Sequence, residues 1–308
     1  MKLLPDGAWP VMLTPFHEDL SVDWEALDAY TDWLVELGSA GLFAVALSGE
    51  MFDLTEDERL AIVRRVVDQV DGRVPVVASI VAEGPPDSHA RAASRLADTG
   101  VDAVVLIASL LLAEDAGEGA LHTSIEHILE ANPGVMFGIY ECPLPYHRIL
   151  TTDTVAWIAQ SGRFLFFKET SHDVAVMAER VQASSGTPMK VFNAGIENLV
   201  ESLAVGVAGL SGWVVNVYPD LVASLCSLAG GLHGPQARVL QDALDGAERQ
   251  MADTYPNSAK YLVARRSAVP MLPVSRWRST ALDSTALDAV ATAMAELGEG
   301  IRSDEQVR

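Results

Sequence analysis

Short runs of apolar, β-branched residues alternate along the chain with longer stretches whose apolar positions recur every three or four residues. The short runs predict strands at residues 9–13, 41–47, 74–80, 103–107, 135–140, 164–168, 190–193 and 208–213. The longer stretches predict helices, among them 24–37, 56–70, 88–99 and 173–181. Start signals support them. Thr55-Glu56-Asp57-Glu58 reads as a capping box, in which hydroxyl and carboxylate each satisfy a free amide, and Asp23 and Thr151 suit simple N-caps. Strands that alternate with helices imply a parallel sheet covered on both sides. The runs 74–80 and 164–167 are almost wholly apolar, as strands buried on both faces are. Eight such units predict a closed (β/α)₈ TIM barrel. An open doubly wound sheet is the alternative, but Leu13-Thr14-Pro15-Phe16 carries no glycine-rich phosphate loop after the first strand.

Beyond Gly230-Gly231 the pattern becomes helical only, near 236–251, 258–269 and 284–297, with Pro270 and Pro273 as breaks. We expect a barrel over residues 1–232 and a C-terminal helical extension over 233–308, with a frayed end from Ser303.

Charge narrows the picture. The net charge of −21 argues against nucleic acid or an anionic membrane as partner, and an anionic substrate would need a local positive site. Only four of the 21 basic residues are Lys: Lys2, Lys168, Lys190 and Lys260. Two cysteines, Cys142 and Cys226, make no disulfide framework and fit a reducing compartment. Neither a signal-peptide core nor an 18-residue apolar run is present, so a cytoplasmic protein is expected.

In a barrel the chemistry lies where strands end. The most informative end is Lys168, which follows Phe164-Leu165-Phe166-Phe167. Burial favours its neutral amine, which can attack a ketone and form a Schiff base. A Lys that reaches solvent or pairs with Glu169 satisfies the same local pattern. Tyr140 ends the neighbouring strand and can shuttle a proton, or merely occupy the rim. Ser48-Gly49 offers a hydroxyl and an unhindered amide for a carboxylate, or an ordinary turn. No metal site is apparent, and His122 with Glu126 reads as an exposed polar face.

In this order the residues resemble a known family. Val11-Met12-Leu13-Thr14-Pro15-Phe16, then Ser48-Gly49-Glu50 with Leu54-Thr55-Glu56-Asp57-Glu58-Arg59, then Tyr140 with Pro143, then Lys168-Glu169, then 209–216, resemble the dihydrodipicolinate synthase and N-acetylneuraminate lyase family of Schiff-base aldolases. The resemblance implies a (β/α)₈ barrel, usually a homotetramer, needing no cofactor or metal. It implies that Lys168 forms an imine with pyruvate or another 2-keto acid, that Tyr140 relays protons, and that Ser48, Gly49 and Ser211 help hold the substrate.

Departures from the family pattern shape the rest. Leu47 stands where the synthases carry a first hydroxyl, Ala108-Ser109-Leu110-Leu111-Leu112 lacks their tyrosine pair, and Pro145 replaces an arginine for the second substrate. Ser171-His172-Asp173 stands where Gly before Asp is common. Tyr146, His147 and Arg148 offer a replacement patch, Arg148 for a carboxylate and His147 as acid or base. The alternative is that they only cap the following helix. The expectation is a Schiff-base lyase or aldolase acting on pyruvate or a related 2-keto acid, with an aldehyde as a further partner, as a dimer or tetramer, and not an authentic dihydrodipicolinate synthase. An imine-dependent sugar-acid dehydratase and a non-catalytic keto-acid-binding barrel are the alternatives.

Overall fold

A computed structural model describes residues 3–229, 234–278 and 281–306. Eight strands form: β1 (Gly7–Ala8), β2 (Leu42–Phe43), β3 (Val76–Ser79), β4 (Ala103–Ile107), β5 (Phe137–Tyr140), β6 (Phe164–Glu169), β7 (Lys190–Asn193) and β8 (Gly209–Leu210). They pair in parallel in the order β1-β8-β7-β6-β5-β4-β3-β2, and a parallel bridge between Val11 and Phe43 closes the ring. Between and after them lie α1 (Trp24–Glu36), α2 (Glu56–Val70), α3 (Pro86–Ala97), α4 (Glu118–Ala131), α5 (Thr152–Gln160), α6 (Val174–Ser184), α7 (Leu199–Ala204) and α8 (Pro219–Ala229). The fold is the (β/α)₈ barrel. The caps form as their side chains dictate: Asp23 accepts from the Ala26 amide, Thr151 from that of Thr154, and Thr55 with Glu58 completes the capping box on α2.

The strand ladders differ from the apolar runs at both ends of the chain. β1 pairs with β8 at Gly7–Ala8, ahead of the expected run at 9–13, and β8 is confined to Gly209–Leu210. Residues 9–13 hold backbone bonds on both sides, Trp9 donating to Leu210 and Met12 to Phe43, without continuing a regular ladder.

Aromatic rings fill the barrel's interior. Phe166 lies 5.2 Å from Trp9, 4.8 Å from Phe192 and 5.5 Å from Phe43, and Phe43 lies 6.0 Å from Tyr140. Gly138 makes room for Phe166. A Cβ there would stand 2.9 Å from the Phe166 carbonyl oxygen, and the β5–β6 register slips beside it.

The tail comprises α9 (Gly234–Met251), α10 (Asn257–Arg266) and α11 (Ser284–Gln306). The expected boundary at 232/233 falls outside the described residues. α10 stops at Arg266, three residues short of the expected end, as Ser267 turns extended ahead of Pro270. α11 continues to Gln306, past the point where fraying was expected. The tail is more than an appendage. Lys260 on α10 is fully buried against Glu50, the residue after Ser48-Gly49, at 2.6 Å. No helix among the described residues is long and apolar enough to cross a membrane.

Candidate active site

Period-two alternation sets the geometry of this site. Along β6, Phe166 and Lys168 share one face and Phe167 and Glu169 the other. Tyr140 pairs in register with Lys168, and the ammonium lies 4.6 Å from the centre of the phenol ring. Glu169 therefore turns away from Lys168. It pairs instead with Arg180 of α6, which also holds Glu141 at 3.1 Å and the Leu150 carbonyl at 2.8 Å. These three side chains are at most 1 % exposed. Glu141 further accepts the amides of Leu150 (2.8 Å) and Thr170 (3.0 Å), tying the ends of β5 and β6 together. Burial raises its pKa to about 6 against the pull of Arg180. Glu169, which the sequence offered as a partner for Lys168, is thus paired with Arg180 instead.

Lys168 is buried, and no carboxylate among the described residues forms an ion pair with it. Burial lowers its pKa to about 8, which makes a neutral amine accessible near neutral pH. Burial raises Tyr140 well above the usual phenol range, so it is a hydroxyl that can donate, beside the Cys142 thiol. Glu248 of α9 accepts the Val214 amide at 3.2 Å, and burial raises it to about 8. At pH 7 this carboxyl is mostly neutral, and the local charge is that of Lys168.

Lys168 and Tyr140 open into a cavity of about 310 Å³, the lower end of the ~300–1,000 Å³ usual for small-molecule sites. Lys168, Tyr140, Leu47, Ser48, Thr170 and His147 line it. The turn Leu47–Gly49 follows β2 as one 3₁₀ turn. Gly49 is tight against β1's continuation, since a Cβ would stand 2.8 Å from the Met12 carbonyl oxygen. Its own amide donates to Ala46 at 3.0 Å, so the turn's hydroxyl, rather than this amide, faces the cavity. His147 lies 2.7 Å from the Thr170 hydroxyl, and burial, then the nearby His172, lowers its pKa. His172 is also at the cavity and is raised by its 2.6 Å bond to Glu197.

Two expected site residues lie elsewhere. Arg148 donates to the carbonyls of Ala113, Glu114 and Ala116 at 2.8–3.3 Å and pairs with Glu118, which makes it a clamp on the 113–116 loop. Tyr146 joins it by donating to Leu112 at 2.6 Å. Ser211 is fully buried and is not among the residues that line the cavity, and its hydroxyl has no partner among the described residues. The tail supplies residues that the sequence did not suggest: Tyr255, Trp277 and Arg278. Tyr255 accepts from Asn216 at 2.9 Å, and the Ser48 hydroxyl lies against it. It thus brings a phenol to a site lacking the hydroxyls at Leu47 and Leu110–Leu112. A larger concavity of about 760 Å³ opens where the strands begin, around Gly7, Lys190 and Ala208. Its Lys190 is taken by Asp6 at 2.5 Å, and it lacks the juxtaposed amine and phenol. No group of three or more metal-ligating side chains occurs among the described residues.

The model of the dihydrodipicolinate synthetase family matches residues 5–267. The chain belongs to that family. The 4-hydroxy-tetrahydrodipicolinate synthase of Saccharophagus degradans is 27 % identical over 265 residues, covering 86 % of this chain and 89 % of the other. Among solved structures, the family protein YagE of E. coli K12, in complex with pyruvate, superposes with a TM-score of 0.83 at 21 % identity, covering 95 % of this chain and 98 % of that one. A catalytic-lysine mutant of the Ruminococcus gnavus sialic acid aldolase gives 0.87 at 18 % identity, covering 96 % and 97 %. At those identities the superpositions speak to the fold. Family membership makes the protein a relative of lyases and aldolases.

Proposed function

We propose that this family member is a Schiff-base lyase or aldolase acting on pyruvate or a related 2-keto acid. The observation that carries the reading is Lys168, an amine on the barrel's inner face, without an ion-pair partner among the described residues, beside a phenol, with its pKa brought down to about 8 by burial. The neutral amine adds to the ketone carbon, and loss of water from the carbinolamine leaves a protonated imine. That cation is the electron sink. Removal of a C3 proton gives an enamine, which adds to an aldehyde carbonyl; the reverse sequence cleaves the same C–C bond. Tyr140 is placed to move the proton, Tyr255 to extend the relay to Ser48, and Ser48 to hold the keto-acid carboxylate.

Authentic dihydrodipicolinate synthesis is not the proposed activity. Pro145 and the leucines at 110–112 support this, since the second-substrate arginine and the tyrosine pair are absent at those places. Assembly as dimers or tetramers belongs to the same proposal, and sedimentation velocity reads it. A fully active monomer would remove that part. A cytoplasmic location is likewise proposed, supported by two free cysteines.

The test is pyruvate with borohydride, followed by intact mass. The expected result is one reduced pyruvate adduct, lost in Lys168→Ala. No adduct, or an adduct that persists in Lys168→Ala, overturns the reading.

A further inference from the structure

The cavity has more room than a three-carbon acid needs, and its two ends differ in chemistry. Lys168, Tyr140, Ser48 and Tyr255 are buried at one end, while Arg278 is exposed at the other, with Trp277 half-buried beside it. Arg276 and Arg278 are two residues apart but differ in how their charges are engaged. Arg276 is fully occupied: it binds Glu58 through two nitrogens, at 2.7 and 2.9 Å, and the Leu20 carbonyl at 2.8 Å. The Arg278 guanidinium forms no ion pair among the described residues. It lies 4.4 Å over the Trp277 ring and lines the cavity.

The backbone that carries Arg278 is fixed from inside. Glu50 accepts the Ser275 hydroxyl at 2.8 Å and the amides of Arg276 and Trp277 at 2.7 and 3.0 Å. Ser275 in turn accepts the Arg278 amide at 3.0 Å, and the Arg278 carbonyl takes a bond from Asn257 at 3.2 Å. Glu50 directly follows Ser48-Gly49 in the chain. One carboxylate thus sets both the turn proposed for the first carboxylate and the arm that reaches the cavity's far end. An arginine on a flexible loop would be ordinary surface. Here the backbone is pinned, the guanidinium is laid on an aromatic face, and its donors meet no acceptor among the described residues.

Resting on the imine reading above, we propose that Arg278 binds a second anionic group at the far end of the substrate. The substrate would then be a dianion: a 2-keto acid, or the aldehyde joined to it, ending in a carboxylate or phosphate. Arg278 is in that case a specificity-determining residue, bidentate to the distal group, in a chain whose net charge of −21 would otherwise disfavour such a ligand.

Titration calorimetry on the full chain tests this without requiring turnover. The ligands are 2-oxoglutarate and 2-oxopentanoate, which share a carbon count and differ in the distal carboxylate, with 2-oxo-4-phosphonobutanoate as the phosphate arm. We expect the wild type to prefer at least one dianion over 2-oxopentanoate by about tenfold or more, and the better dianion names the distal group. Arg278→Gln should erase the preference while leaving 2-oxopentanoate unchanged. Arg278→Lys should keep part of it, since an ammonium lacks the fork. Equal affinity for all three acids in the wild type, a preference that survives Arg278→Gln, or no binding of any acid overturns the proposal. The borohydride trap separates the two readings. An adduct without a dianion preference sinks this inference alone, and a preference without an adduct sinks the imine.

Discussion

A buried lysine is reactive only in the fraction that has lost its proton, so the pH dependence of trapping reports on Lys168 directly. Burial, the dominant cause, brings the group from 10.5 to about 8. Below about 8 the ammonium predominates, and each pH unit downward removes about tenfold of the free amine. The rate of borohydride trapping at fixed pyruvate should therefore climb between pH 6 and about 8 and then level. A flat profile across that range would mean that amine deprotonation does not limit imine formation. Tyr140 and Tyr255 contribute no inflection there, because burial holds both phenols above the usual range. Glu248 also titrates near 8 and shifts the charge the same way: it becomes negative as Lys168 becomes neutral. The site's own charge thus falls as pH rises, which weakens anion binding over the range in which the nucleophile improves. KM for pyruvate should rise above pH 8 for that reason.

The element scale decides how the tail is coupled to the barrel. Glu50 and Lys260 are both fully buried and 2.6 Å apart, one at the end of β2's turn and the other on α10. Removing one charge of such a pair leaves the other uncompensated, at about 3–5 kcal/mol, whereas replacing both by neutral groups is far less costly. Glu50→Gln should lower unfolding stability by about that amount in a urea titration, and adding Lys260→Met should recover much of it. Equal stability in wild type and Glu50→Gln would mean that the latch contributes nothing. Much of this level was legible in the sequence. Phe164-Leu165-Phe166-Phe167-Lys168-Glu169 shows the buried strand, but a run that is apolar on both faces does not show which of Lys168 and Glu169 faces inward; the pairing of β6 with β5 decides that. The part that was not legible is tertiary. Helical periodicity leaves Tyr255 and Trp277 in the connections between tail helices, but nothing local says which end of the barrel those connections cover. Arg148 misled for the same reason, since its sequence neighbours do not reveal that the 113–116 carbonyls lie within its reach. The one available signal for the missed arm was Ser275-Arg276-Trp277-Arg278, a basic and aromatic stretch just past the helix-breaking prolines 270 and 273.

For the whole molecule, the net charge of −21 and a demand for anionic ligands pull against each other, and distance decides between them. Many of the cations are committed to pairs on the outer helices: Arg65 with Asp28 at 2.5 Å, Arg95 with Glu56 at 2.8 Å, Arg238 with Glu201 at 2.5 Å and Arg265 with Asp288 at 2.7 Å. The excess of carboxylates repels an approaching keto acid over tens of ångströms at low salt, where the Debye length is ~30 Å at 10 mM. At ~150 mM it shrinks to ~8 Å, which removes most of that barrier yet exceeds the ~3 Å separation of a hydrogen-bonded ion contact inside the cavity. Screening thus weakens the repulsion more than it weakens the capture by Lys168 or Arg278. The expected consequence is that the second-order rate of pyruvate trapping rises a few-fold as KCl goes from about 10 to about 150 mM. A rate that falls with added KCl would show that attraction from the cavity, rather than repulsion from the surface, governs the encounter. An uncharged carbonyl compound trapped by the same lysine should show almost no salt dependence, which separates a change in the field from a change in the protein.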